Sequence, residues 1–371
     1  MIVITGATGF IGSRMVQHLN ESGRSDLVLV ADYSVMPVDS GHGVPKMVSC
    51  PTVETCHGAS LQGDNVSLQG NGASPQGLRY VEKIPRNLFF DWLALNQQKV
   101  DFILHFGSEI DTLSADTICF QEQILEYSQR LWSFSAMNRI PLLFAAASSG
   151  EKWRWTDQEW VEWKSGGMGH AAQPAQSGRP MSTAQSAIAF RVAEAERLKR
   201  QFDQWVLKQR VTPPLWAGFA MPEVYGPNES HLGDAASSVF QLFRQWKMGG
   251  CMVIPFYENS ENSDREPLMD RVFVKDVVTV FTWFINHLPA SGFYYLGTGY
   301  PRPLSAVAKA IFSVLKMPPQ MEYQIIPSSD IHFPKENNLL ALNKINRIGY
   351  KKNFTPLEKG VSLYVKNILN E

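Results

Sequence analysis

One feature constrains this chain more than any other, and it stands at the start. A β-branched run, Ile2-Val3-Ile4, leads directly into Thr5-Gly6-Ala7-Thr8-Gly9-Phe10-Ile11-Gly12. The run reads as a buried strand, and the apolar spacing from Phe10 to about Ser22 reads as an amphipathic helix. Strand, glycine turn and helix in that order bring a helix N-terminus and bare backbone N–H groups onto a pyrophosphate. Gly6 permits the tight turn, Gly9 lets a phosphate approach, and Gly12 lets helix and strand pack closely. A glycine triplet alone is weak evidence, so the next strand decides the matter. Leu27-Val28-Leu29-Val30-Ala31 ends in Asp32, about twenty residues past the turn, where a carboxylate accepts from a ribose hydroxyl. Gly6, Gly9, Phe10, Ile11, Gly12, Asp32 and Tyr33 are therefore the first expected contacts of a dinucleotide.

Further along, strands alternate with helices. Alternation resumes at Arg79-Tyr80-Val81, a helix follows from about Asn87 to Gln97, and Phe102-Ile103-Leu104-His105 is the next strand. A long helix covers roughly Thr117 to Asn138, Pro141 to Ala147 is a strand, and a helix runs from Ser182 to about Lys208. This order predicts an α/β chain with a Rossmann-type, doubly wound parallel sheet. Cofactors in such sheets sit beyond the carboxyl ends of the strands, which adds Phe106, Gly107, Ser108 and Ser148 to the expected neighbourhood. From Glu223 onward the elements are shorter and mixed. They suggest a smaller α/β substrate-type domain over 223–371, with 272–300 returning to the sheet of domain 1–222.

Two segments interrupt the pattern. Between 34 and 78, Gly, Ser, Pro, Gln and Asn dominate and Ser-Leu-Gln-Gly occurs twice, a composition that cannot offset its own ordering entropy and predicts a mobile insertion. The other, 150–179, carries Trp153, Trp155, Trp160 and Trp163. A short helix there would put Trp153, Trp160 and Trp163 on one face, either packed on the parent domain or offered to a protein partner.

Composition narrows the function classes. A formal net charge of -1 and a pI near 6.7 give no electrostatic footprint for nucleic acid or an anionic membrane. No apolar stretch is long enough to span a bilayer. Cys50, Cys56, Cys119 and Cys251 form no metal-ligand pattern, and the first strand begins at Met1, so a reduced, cytoplasmic protein without a metal centre is expected.

With these pieces in place the chain resembles the extended short-chain dehydrogenase/reductases of the nucleotide-sugar epimerase kind, most of all the ADP-glyceromanno-heptose 6-epimerases. The resemblance rests on Thr5 to Ser13, His105-x-Gly107, Glu126-Tyr127-Ser128, Ile140 to Leu143, Val224-Tyr225-Gly226-Pro227, His231-x-Gly233, Ser260-Glu261-Asn262, Asp270 through Asp276-Val277, and Leu296-Gly297-Thr298-Gly299. It implies bound NAD or NADP, a nucleotide-sugar ligand, a homo-oligomer, and substrate-side contacts at Glu223, His231 and Arg265. It also implies a Tyr acid/base with a Lys one helical turn later, both on one helix face. Here the family's Pro-Leu-Asn-x-Tyr-x-x-x-Lys aligns with Pro180 to Ile188, which puts Ala184 in the Tyr seat and Ile188 in the Lys seat. None of the eleven tyrosines is followed by Lys four residues later.

The departures continue nearby. The family's Ser at the end of the preceding strand falls at Ala147, beside Ser148. Its second Lys is Leu232, its Asn before Val-Tyr-Gly-Pro is Glu223, and its Arg before Asp270 is Met269. A lost general acid/base alone costs on the order of 10²–10⁴ in rate. Three readings remain open: a catalytically inactive epimerase-like protein acting through contacts, a working epimerase or reductase with displaced groups such as Ser148 with Asp111 or Glu223, and a nucleotide or nucleotide-sugar binding module without turnover. In the first and third the cofactor can be absent. Asp32 favours NAD over a 2′-phosphate.

Overall fold

The computed structural model describes residues 1–31, 78–107, 121–147, 192–256, 266, 268–325 and 344–370 in full, and the backbone course of 153–155, 160–162, 183–191, 257 and 326. Strand β1 (Ile2–Thr5) enters the glycine turn and helix α1 (Phe10–Glu21), which buries Phe10, Met15, Val16 and Leu19 at helical spacing. Strand β2 (Leu27–Ala31) is buried at every position, as a strand covered on both faces must be. Then come β3 (Glu82–Pro85), α2 (Phe89–Asn96) and β4 (Phe102–His105). A π-helical turn over Gln121–Glu126 runs into α3 (Tyr127–Met137), and β5 (Leu142–Ala145) follows.

The strand expected at Arg79-Tyr80-Val81 lies a few residues later. The pairing with β2 starts at Val28↔Glu82, because the ladder and not the local alternation sets the register. The tryptophan-rich segment corrects the sequence expectation outright. Trp153–Trp155 (β6) and Trp160–Glu162 (β7) are antiparallel strands, with Trp155 opposite Trp160 and Trp153 opposite Glu162. Tryptophan spacing fits a period of 3.6 about as well as it fits 2, and the strand preference of large aromatics favours the hairpin.

After α4 (Thr183–Val206), β8 (Trp216–Ala220) completes the central region. The remaining elements are β9 (Glu223–Tyr225), α5 (Ser238–Gly249), β10 (Met252–Tyr257), β11 (Leu268–Met269), β12 (Arg271–Phe273), α6 (Val274–His287), β13 (Gly292–Tyr295), β14 (Arg302–Pro303), α7 (Leu304–Leu315), β15 (Met321–Ile326) and α8 (Leu357–Asn370). Seven strands form one parallel sheet in the order β13-β8-β5-β4-β1-β2-β3. The order reverses at β1, so β1 and β4 flank the switch point where ligands of open α/β sheets bind.

Helices cover both faces. On one, α1 and α6 pack with Met15, Leu19, Phe219, Phe281, Phe284 and Tyr294 in a single core. On the other, α2, α3 and α4 contribute Phe89, Leu93, Trp132 and Phe202 around Phe144 and Phe293. A third core gathers α5, α7 and α8 about β9, β10 and β12, with Tyr225, Phe243, Ile311 and Tyr364 at its centre. Two short parallel pairs, β9 with β12 and β10 with β15, belong to this smaller unit.

Candidate dinucleotide site

Gly6 sits at φ +70°, in the left-handed region, and a Cβ there would run into the carbonyl oxygen of Gly107. The turn after β1 and the turn after β4 therefore touch backbone to backbone, which only glycine allows. Gly12 meets the Gly6 carbonyl in the same way, so α1 lies tight against the turn. Gly9 is the N-cap of α1, in an extended conformation with no side-chain cap, and the first helical turn carries no acidic residue. The exposed N–H groups and the positive end of the helix dipole are thus left to a ligand, as a pyrophosphate cradle requires.

The side chains around this cradle serve the core. Phe106 packs on Phe281 at 4.8 Å between ring centroids, Phe281 on Phe219 at 4.4 Å, and Ile11 joins the same cluster. Phe10 is nearly buried. What this side of the site offers a dinucleotide is backbone at Gly6, Gly9, Gly12 and Gly107. Asp32, Tyr33, Ser108, Ser148 and Arg265 lie outside the described residues, as does the 34–77 part of the predicted insertion.

Beneath the turns is a polar chain that sequence reading did not single out. Thr5 and His105 are register partners on β1 and β4, and Thr5 Oγ1 lies 2.6 Å from His105 Nδ1. His105 Nε2 lies 3.0 Å from Ser128 Oγ, whose own proton goes to the Ile124 carbonyl at 2.5 Å. Ser128 must then accept from Nε2–H, and Nδ1 accepts from Thr5, which fixes one neutral tautomer. Burial, with Arg86 and Lys199 nearby, pushes the His105 pKa down to about 3. His105 is a neutral strut joining β1, β4 and the helix at 124–128. Its appearance in the His105-x-Gly107 motif was the only sequence signal.

The strand end at Ala147 is held by another unexpected group. Asp203 on α4 is fully buried and accepts from the Ala147 N–H at 3.0 Å through Oδ2, while Oδ1 has no hydrogen-bond partner among the described residues. Burial raises its pKa well above the usual carboxylate value. Helix α4 begins at Thr183, so the backbone at 184 and 188 is helical, as the family spacing requires.

Glu223 has both oxygens engaged. Oε1 accepts from the Ser238 N–H at 2.7 Å, and Oε2 accepts from Ser238 Oγ at 2.7 Å and from Arg271 Nε at 2.6 Å. Arg271 stands opposite it in the β9–β12 register and also donates through Nη1 to the carbonyls of Met269 and Arg302. The residue that replaces the family's Asn is thus bound into an intramolecular clamp. His231 lies half-buried in a 3₁₀ segment, Ser230–Ala235. Glu229 of the same loop is buried and accepts from Gly226 N–H and from both the N–H and hydroxyl of Ser237. Desolvation lifts its pKa to about 7. Asp270, at the position before β12, receives Tyr295 Oη at 2.9 Å, Gly299 N–H at 2.8 Å and the Thr298 hydroxyl, and so fixes the Leu296 to Gly299 turn.

No protein-family model matches the chain. A curated relative, ADP-L-glycero-D-manno-heptose-6-epimerase of Fusobacterium nucleatum, is 25% identical over 388 residues, covering 100% of this chain and 98% of the relative. Among solved structures, the Helicobacter pylori ADP-L-glycero-D-manno-heptose-6-epimerase superposes with a TM-score of 0.59 at 18% identity, covering 100% of this chain and 96% of that one. The Bordetella bronchiseptica enzyme WbmH, solved with NAD+, gives a TM-score of 0.59 at 15% identity over 99% of this chain and 97% of its own. The chain is therefore similar end to end to proteins named heptose epimerases, and it has the fold of the extended short-chain dehydrogenase/reductase epimerases and dehydratases. Among the described residues no helix is long and apolar enough to cross a membrane.

Proposed function

We propose that this chain is an epimerase-type dinucleotide-binding protein that no longer performs hydride chemistry and works as an accessory, structural or sensing protein. The observation that carries the proposal is the identity of two residues on one helix. Where the resemblance puts a phenol and an ammonium one turn apart, α4 carries Ala184 and Ile188. Neither can hold or move a proton, and isoleucine cannot bind a ribose hydroxyl.

The cradle itself fits NAD or NADP. Gly6 and Gly107 meet without side chains between them, and the N-terminus of α1 is uncapped. When bound, such a cofactor supplies a hydride acceptor and donor. The residues that hold it are Gly6, Gly9, Gly12 and Gly107 through backbone groups, with Asp32 on the adenosine ribose, which favours NAD. Residues 1–222 form the nucleotide-binding domain and 223–371 the substrate-type domain, the latter suited in size to a nucleotide sugar. The Trp153–Trp163 segment is the surface offered to a protein partner, and the assembly is a homo-oligomer in the cytoplasm.

The test is calorimetric titration with NAD, NADP and ADP, followed by incubation of the loaded protein with an ADP-heptose while both epimers are followed by NMR. The expected result is binding of at least one dinucleotide and no interconversion. Turnover overturns the inactive reading in favour of displaced catalytic groups. Failure of all three nucleotides to bind overturns the nucleotide-binding reading. Gly9→Val separates site from fold: Gly9 has φ -69° and ψ 171°, which valine adopts freely, so folding persists while the pyrophosphate loses its space.

A further inference from the structure

We propose a second ligand site, for a small phosphate-bearing molecule, in the cavity between the C-terminal part of α1, the outer face of α6 and the 349–352 segment. The cavity measures about 660 Å³ and is lined by His18, Lys275, Thr279, Trp283, Tyr350 and Lys352 among others. That volume lies within the range of about 300–1,000 Å³ that suits a metabolite. His18 is eight residues beyond Phe10, about 12 Å along the helix axis from the glycine turn, so the cavity is separate from the dinucleotide cradle.

Its chemistry is one-sided. Lys275 starts α6, Lys351 and Lys352 belong to a segment remote in sequence, and the fold brings all three to one opening. Lys275 and Lys352 have no ion-pair partner among the described residues, and Lys351 donates only to the carbonyl of Asn346. Asp276, next to Lys275 in sequence and within its electrostatic reach, accepts from the N–H and hydroxyl of Thr355 and makes no ion pair with it among the described residues. On a protein of formal net charge -1 this is a local excess of cations held around a concavity. Half-buried His18 lies within electrostatic reach of Lys275, Lys352 and Arg14, and Glu21 is the acid that acts on it among the described residues.

The donors that remain also select against a neutral ligand. The hydroxyls of Thr279 and Thr282 already donate to the carbonyls of Lys275 and Val278. With those hydroxyls engaged, the ammonium groups of Lys275, Lys351 and Lys352 are the charged donors to an incoming group, which suits several anionic oxygens at once. One wall is aromatic. Trp283 stacks on His287 at 4.5 Å and 15°, with His287 Nδ1 against the Trp283 carbonyl at 2.9 Å, and Tyr350 meets the indole edge-on at 5.6 Å. A phosphate group bonded to a ring or sugar satisfies both the cationic rim and this wall.

The site stands apart from the dinucleotide reading, and its test is kept apart from it. Titrate the full chain, and its Gly9→Val variant, with inorganic pyrophosphate and with AMP by calorimetry. The expected result is saturable binding of both probes that persists in Gly9→Val, in which the glycine turn no longer takes a phosphate and in which the charge reversals are made. Lys275→Glu with Lys352→Glu then weakens both probes about tenfold or more, while Lys208→Glu, on the surface beyond α4, leaves them unchanged. Circular dichroism confirms that each variant is folded, as exposed lysines allow. Absence of saturable pyrophosphate binding, loss with Gly9→Val, indifference to the double charge reversal, or an equal loss with Lys208→Glu each overturns the proposal.

Discussion

Arg271→Ala is the perturbation whose cost the structure defines most closely. Arg271 has a side-chain exposure of 4%, its partner Glu223 of 20%, and the Nε–Oε2 separation is 2.6 Å. Removing the guanidinium leaves a largely buried carboxylate without its counter-charge and takes a donor from the carbonyls of Met269 and Arg302. Breaking such a pair from one side costs about 3–5 kcal/mol, far more than a surface bridge, because the stranded charge stays buried. For a chain of 371 residues that is roughly 4–6 °C in melting temperature. Replacing both partners, Glu223→Gln with Arg271→Met, removes the charges while keeping the volume and should recover all but about 1 kcal/mol. Urea denaturation of the parent protein, Arg271→Met, Glu223→Gln and the double variant closes the cycle and gives the coupling energy, expected at about 2 kcal/mol or more. A single-variant cost below about 1 kcal/mol, or a double variant equal to the sum of the singles, refutes the clamp.

The remaining predictions concern the groups around the cradle. His105 has a folded pKa near 3 against an ordinary value of 6.5, so below 6.5 the unfolded chain binds a proton that the folded one refuses. Stability should therefore rise as pH climbs from about 3 to 6.5, and His105→Gln should flatten that part of the urea-midpoint profile against pH. Asp203→Asn keeps an oxygen for the Ala147 N–H and should be nearly neutral at pH 7, whereas Asp203→Ala should cost about 1–3 kcal/mol by denaturant midpoint. Gly6→Ala must carry a Cβ at φ +70° against the Gly107 carbonyl, and should destabilise by about 1–3 kcal/mol while abolishing dinucleotide binding in the same calorimetric assay.

Much of the fold is legible in the sequence because its signals are local. The run at Ile2–Ile4, the glycines at 6, 9 and 12 and the 3.6 spacing of α1 involve neighbouring residues only, and the expected strand–turn–helix appears with bounds within a residue of those expected. The same holds for Phe102–His105, expected and found as a strand. The tryptophan segment shows where local reading runs out. Residues 153, 155 and 160 satisfy either period loosely, and cross-strand pairing of Trp155 with Trp160 is information the linear pattern does not contain.

The sequence by itself determined the class of the fold: a parallel α/β sheet opening on a strand, glycine turn and helix. Tertiary structure alone decided what the other polar residues do. Glu223 reads as a substrate contact until the β9–β12 register sets Arg271 opposite it, 48 residues away, and uses up its oxygens. Asp203 and His105 read as ordinary polar residues until burial raises the pKa of the one and lowers that of the other, each against its charged form. Lys275 and Lys352 become neighbours only because α6 and the 349–352 segment meet over α1. The physical reason is the same throughout. Backbone geometry and period are set by nearest neighbours, whereas the charge and partners of a side chain depend on which distant segment the fold lays against it.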